Sequence, residues 1–250
     1  MSRKQKAAEN NKKWFDSEQF TNGYADAEFE NIAGRFLCGD VIEHGVLSDK
    51  QKAIVILTTL TASGTYEVIE KYAGAALRAG VSTNEIRETL IQCTPYVGME
   101  KVNLALKEAY KAFEKAGVAD TVTEQGTVEE DTRFNNGLAA QQNIFGAENI
   151  NNMRNAAPPA LKHIQDYLSA YCFGDFYTRK TLDLKMRELI TFCAIITLGG
   201  CEAQAKSHAA ANLRVGNTRE MLIGVVTQCL PFIGFPRTLN ALSCIDSAGK

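Results

Sequence analysis

Through the last third of the chain, apolar residues recur at helical intervals, and glycine and proline cut them into segments. Leu184, Ile190, Cys193, Ile196 and Thr197, with Leu189 alongside, predict one long helix. Asp183 stands at its N-cap, and Gly199-Gly200 ends it as a breaker able to take left-handed conformations. A second helix is predicted from about Cys201 to Val215, closed by Gly216. A third runs from Thr218 to Cys229, Pro231 and Gly234 punctuate, and a fourth starts near Pro236 and reaches about Ser247. No segment has the period-two alternation of a strand bounded by hairpin turns, so the reading is all-α.

The same pattern occurs earlier. At a shift of 136 residues, Ala-Ala-Leu-Arg-Ala-Gly (75–80) falls on Ala-Asn-Leu-Arg-Val-Gly (211–216), and Gln-Cys-Thr-Pro-Tyr-Val-Gly (92–98) on Gln-Cys-Leu-Pro-Phe-Ile-Gly (228–234). Upstream the shift is 135, pairing Phe36-Leu37-Cys38-Gly39-Asp40 with Tyr171-Cys172-Phe173-Gly174-Asp175. The extra residue is assigned to the Gly199-Gly200 turn, where insertion is cheap. Residues 26–116 thus read as a first repeat and 132–250 as a second. The acidic, Thr-rich stretch 117–131 reads as a linker, and the polar residues 1–25 as peripheral.

The repeats differ in chemistry. Cys201 faces Thr65, Glu202 faces Tyr66, His208 faces Tyr72, and Glu188 faces Ala53 (Lys52 if the slip lies elsewhere). Apolar and Gly/Pro positions survive in both copies, whereas titratable ones survive in the second alone. If α-helices flank the Gly199-Gly200 turn as an antiparallel hairpin, His208 and Glu188 come within reach of each other. Cys201 and His208 share a face but stand roughly 10 Å apart along the axis, with Gln204 between them. That spacing is too long for direct proton transfer.

Composition narrows the setting. With 45% hydrophobic and 22% charged residues and a net charge of -2, the chain has a globular composition without a broad basic surface for nucleic acid. The basic N-terminus has no apolar run behind it, and no stretch reads as a membrane span; a cytoplasmic location is expected. Seven cysteines without a Cys-x-x-Cys read as free thiols, with Cys93 and Cys229 as core filler. Three scattered histidines make no metal site, and no glycine-rich loop follows a strand, so neither metal nor nucleotide cofactor is expected.

Taken together, Arg-Glu-Leu-Ile (187–190), Gly-Gly-Cys-Glu-Ala-Gln-Ala-Lys-Ser-His (199–208), Leu-Arg-Val-Gly (213–216) and Gln-Cys-Leu-Pro-Phe-Ile-Gly-Phe-Pro-Arg-Thr-Leu-Asn-Ala-Leu (228–242) resemble the carboxymuconolactone decarboxylase family, which includes the alkylhydroperoxidase AhpD branch. Residues 133–146 resemble the amino-terminal segment of the decarboxylase branch, and the first repeat matches scaffold positions only. The resemblance implies an AhpD-like helical array that assembles as trimers or hexamers. The first repeat would then take the place of a second subunit, making a homotrimer. In the peroxidase branch a glutamate, a Cys-x-x-Cys pair and a histidine act together. Glu188, Cys201 and His208 match these, but Gln204 replaces the second cysteine, and Glu188 lies thirteen residues before Cys201, one more than the family spacing. The decarboxylase branch is cofactor-free and converts a carboxylated lactone to an enol-lactone.

Three readings follow. In the first, His208 is the general acid–base of a lyase acting on a small carboxylated lactone or related acid, Glu188 orients it, and Arg187 or Arg237 clamps substrate carboxylate, with Gln204 a further substrate contact. In the second, Cys201, at a helix N-terminus that favours thiolate, is a peroxidatic thiol with a resolving cysteine brought from another segment, Cys193 being the nearest in sequence. In the third, the scaffold is an oligomeric binding protein and His208 merely bridges two helices. Arg214, with its twin Arg78, reads as structural; Glu202 reads as a first-turn charge, and His44 and His163 as surface or capping residues.

Overall fold

The computed structural model describes residues 1–17 and 19–248; residues 249–250 of the second repeat lie outside the described residues. The first repeat runs α1 (Arg3–Phe15), α2 (Ala27–Gly34) leading into a π-helical stretch (Arg35–Val41), α3 (Asp49–Ser63), α4 (Ile69–Arg78), α5 (Thr83–Gln92), the single turn α6 (Thr94–Val97) and α7 (Met99–Lys115). The second runs α8 (Arg133–Phe145), α9 (Ala147–Ala156), α10 (Lys162–Tyr167) leading into a longer π-helical stretch (Leu168–Tyr177), α11 (Leu184–Leu198), α12 (Glu202–Arg214) and α13 (Arg219–Ala248). Among the described residues there is no strand, and the all-α, two-repeat array is as the sequence predicts.

Helix starts follow the local chemistry. Ser48 caps α3 through a reciprocal box, its hydroxyl accepting from the Gln51 amide while the Gln51 side chain accepts from the Ser48 amide at 2.9 Å. Asp183 caps α11 by accepting from the Met186 amide at 2.8 Å. Gly199 and Gly200 both take positive φ (70° and 71°), which reverses the chain between α11 and α12. The predicted third and fourth helices form α13, broken at Gly234 (φ 74°, ψ 171°). Pro231 sits inside the helix, so the break falls three residues later than that proline. Gly98 breaks the first repeat at the matching place.

By length and mean hydropathy (1.3) α13 would qualify as a membrane-crossing segment, an exception to the expectation that no stretch does. The Gly234 break divides it into pieces each roughly 22 Å long, short of a ~30 Å hydrocarbon layer. Its buried residues include Leu222, Val225, Val226 and Cys229.

The first repeat starts earlier than expected. α1 is not peripheral: Trp14 is 2% exposed, and Asn10 donates to the Cys38 carbonyl at 2.8 Å. α1 is the counterpart of α8 at a shift of 130. Arg3 pairs with Asp40 as Arg133 pairs with Asp175. Arg78 donates to the Trp14 carbonyl as Arg214 donates to that of Ile144, which gives both arginines a structural role. A Cβ on Gly39 would meet the Arg3 carbonyl oxygen at 2.9 Å, and Gly174 is pressed against the Arg133 carbonyl in the same way. The substituted residues of α1 hid this match, while its packing positions persist.

The linker is pinned as well. Asn84 brackets Thr123, accepting from its amide at 2.9 Å, and the Gln125 carbonyl accepts from the Lys180 amide at 3.0 Å. The repeats share one interior. α3 packs on both α11 and α13. Ile190 belongs to the first repeat's core, and Leu47 and Val55 to the second's. Cys93 and Cys229 are fully buried, and Cys229 lies 3.5 Å from Cys193 with the Thr59 hydroxyl 3.3 Å from both sulfurs.

Candidate active site

The α11–α12 hairpin brings two titratable side chains together. His208 Nδ1 lies 2.9 Å from Glu188 Oε2. Glu188 is fully buried and His208 9% exposed. One turn beyond the histidine, Asn212 donates to the carbonyls of both Glu188 (2.9 Å) and His208 (2.8 Å), which fixes the register of the two helices.

A chain of hydroxyls extends behind the carboxylate. Tyr177 donates to Glu188 Oε1 at 2.7 Å. With its one proton committed there, the Tyr177 oxygen accepts from Tyr96 (3.0 Å) and from Thr191 (2.8 Å). Cys172 stands 3.6 Å from the Tyr96 oxygen. Burial, and then the neighbouring Cys172 and Glu188, hold the Tyr96 phenol well above the ordinary tyrosine range; burial and Glu188 do the same for Tyr177. Burial pushes the Cys172 thiol up to about 12. All three stay protonated at neutral pH; Tyr177 donates to Glu188 directly, and Tyr96 and Cys172 stand behind it. An ionised Glu188 then selects the His208 tautomer with its proton on Nδ1, leaving Nε2 as a lone pair.

His208 lines a cavity of about 630 Å³. Phe145 and Tyr96 stand edge-on to its ring, at centroid distances of 5.3 and 5.9 Å. Nε2 has no protein hydrogen-bond partner among the described residues, and the cavity is the space left beside it. Cys201 and Gln204 line the same cavity, Gln204 between thiol and imidazole as the helical spacing requires. Cys201 is the N-cap residue of α12 and half-buried, whereas the other six cysteines are buried. Cys193 is with Cys229 in the core, which removes it as a partner for Cys201.

The two proposed carboxylate clamps are elsewhere. Arg187 is 1% exposed, and its guanidinium donates to Gln92 Oε1 (2.7 Å) and to the carbonyls of Arg179 (2.8 Å) and Lys180 (3.0 Å). Adjacent helix residues point about 100° apart, so a Glu188 that faces the cavity turns Arg187 away from it. Arg237 donates to the Thr197 carbonyl at 2.8 Å, closing the C-terminal end of α11, and lines a separate hollow of about 210 Å³ on the other side of Cys201. Among the described residues no three His, Cys, Asp or Glu side chains group as a metal site requires.

Sequence reasoning missed Tyr96, Tyr177 and Thr191. A signal for them exists in the repeat. At the shifts above, their counterparts are Phe232, Ile42 and Ile56, each lacking the hydroxyl. Tyr96 belongs to the first repeat yet serves the second repeat's histidine. Its counterpart Phe232 crosses the other way to meet Tyr72, the residue in the histidine's place, at 5.9 Å and 83°. Each repeat therefore lends an aromatic ring to the other, and Tyr72, packed between Phe15 and Phe232, is 2% exposed.

Comparison with known proteins agrees with this layout. The family model described as Carboxymuconolactone decarboxylase family matches residues 32–111 and 162–247. A 4-carboxymuconolactone decarboxylase of Acinetobacter baylyi is 27% identical over 92 residues, which span 37% of this chain and 69% of that protein. The two matched spans hold the two repeats, and on them the chain belongs to the carboxymuconolactone decarboxylase family.

Proposed function

We propose that this chain is a cofactor-free acid–base enzyme that moves a proton on a small ring substrate at His208. The observation that carries the reading is the imidazole tied to buried Glu188 at 2.9 Å with its other nitrogen beside a cavity. Nε2 takes a proton from a carbon acidified by a neighbouring carbonyl and returns one to the resulting enolate. Glu188 stabilises the imidazolium that forms in between, and Tyr177 holds the Glu188 side chain in place. Protonation of an enolate is also the last step of decarboxylating a carboxylated lactone, but no lysine or arginine lines this cavity to hold that carboxylate, so proton transfer on an uncharged ring is the reading we favour. The test is solvent exchange in deuterated buffer with cyclohexanone, a tetralone and a β,γ-butenolide as probes. The wild-type chain is expected to accelerate exchange at the activated carbon of at least one probe, and His208→Ala to return it to background. A wild-type chain no faster than His208→Ala on every probe overturns the reading.

A thiol peroxidase reading has one favouring observation, the half-exposed Cys201 in the same cavity. Attack of its thiolate on a hydroperoxide would give a sulfenic acid and an alcohol, but Gln204 occupies the place of a local resolving thiol. Peroxide consumption that Cys201→Ser abolishes would establish this reading; no sulfenic acid at Cys201 after peroxide treatment would dismiss it.

A further inference from the structure

We infer that the His208 cavity takes an uncharged, largely apolar ring molecule and discriminates against one bearing a carboxylate; this rests on the reading of that cavity as the substrate site. None of its nineteen lining residues is a lysine, arginine, aspartate or glutamate. The walls are Phe145, Ile150, Leu168, Phe173, Ile195 and Leu198. The polar lining, apart from the imidazole itself, is of amides and hydroxyls (Gln141, Asn149, Gln204, Ser207 and three tyrosines) with the Cys172 and Cys201 thiols. At about 630 Å³ the space suits a ring molecule of roughly ten to twenty heavy atoms.

All seven arginines of the second repeat are engaged elsewhere. Arg187 and Arg237 are held as described. Arg133, Arg154, Arg179 and Arg219 pair with Asp175, Asp166, Glu88 and Asp246, and Arg214 donates to the Ile144 carbonyl. The ionisable side chain nearest the histidine is the buried Glu188, an acid that offers a carboxylate no counter-ion. A carboxylated ligand would thus lose its hydration in an apolar hollow and gain no lysine or arginine partner, whereas a neutral ring loses only water from an apolar surface. The polar groups present, a ring nitrogen and side-chain amides, can grip a carbonyl or hydroxyl oxygen.

Acetophenone and benzoate form a matched pair, since a methyl group replaces a charged oxygen on the same planar frame. Calorimetric titration at pH 7.5 is expected to give acetophenone the tighter binding by roughly a hundredfold. Gln204→Arg places a guanidinium at an exposed point on the cavity wall, and the preference should shrink at least about tenfold through stronger benzoate binding. Benzoate binding as well as acetophenone to the wild-type chain overturns the inference, as does failure of acetophenone to bind. An unchanged ratio in Gln204→Arg would place the ligands outside this cavity and overturn it too. Binding requires no turnover, so failure here leaves proton transfer at His208 to be judged by the exchange assay, and failure of exchange leaves the charge preference standing.

Discussion

Replacing Arg187 by methionine separates a scaffold role from a substrate clamp. Methionine keeps the length and the helix preference of the site but deletes the guanidinium. Three hydrogen bonds from a 1% exposed cation disappear: to Gln92 in the first repeat, and to the carbonyls of Arg179 and Lys180 ahead of α11. Glu88, 3.6 Å from Arg187 and fully buried, keeps its bidentate partner Arg179 at 2.8 and 2.9 Å, so no carboxylate is left alone. The two carbonyls and the Gln92 oxygen do lose their donor in a dry place. Breaking such a buried charged network costs about 3–5 kcal/mol, and for a chain of this length each kcal/mol moves the melting temperature by about 2–4 °C. Thermal unfolding followed by circular dichroism should show a drop of roughly 6–20 °C, with acetophenone affinity at 25 °C changed less than about threefold. A clamp would behave oppositely, with an unaltered melt and lost binding of acidic ligands. A variant that melts within about 2 °C of wild type would refute the structural assignment.

Other expectations follow from the same geometry. Glu188→Gln should lower the exchange rate by about 10³–10⁴, because an amide nitrogen facing Nδ1 selects the other tautomer, as in the comparable inversion of a serine-protease triad; a loss under about tenfold would mean that Glu188 does not set the tautomer. A bulky maleimide at pH 7.5 should label one thiol per folded chain, at Cys201, the half-exposed one of seven, and peptide mapping reads this directly. Burial pushes Cys38, Cys93 and Cys172 from the usual 9.0 up to about 12. The unfolded chain releases these protons from pH 9 while the folded chain keeps them toward 12, so their contribution is complete below 9 and falls as pH rises. Urea unfolding should show a loss of about 1.4 kcal/mol per pH unit per thiol over that range, shallower in Cys93→Ala, and a flat profile would refute the linkage.

Much of the second repeat was legible because its signals are local. An Asp183 cap, a double glycine and helical periodicity are read within a turn or two, and they placed Glu188 and His208 on facing helices. What escaped depends on which surface meets which. Arg187 looked available because its neighbour Glu188 was a site candidate, yet the sideways step between adjacent helix residues already pointed it toward Gln92. Tyr96 was overlooked because it lies in the repeat stripped of chemistry, over a hundred positions from the histidine whose ring it borders. Trp14 sits among asparagines and lysines that suggested a loose arm, and only the Arg3–Asp40 and Arg78–Trp14 contacts show that α1 repeats α8.

The crossing of Tyr96 and Phe232 between the halves has a bearing on how such a chain can change. A half that has surrendered its reactive groups would ordinarily drift freely so long as it stays folded. Here it remains a wall of its sibling's chamber, so wear at Tyr96 or at the α5–α6 corner is felt by the partner that still holds the imidazole. Once the two halves were joined and allowed to differ, neither could be discarded or exchanged for a copy of the other without unmaking the surviving pocket.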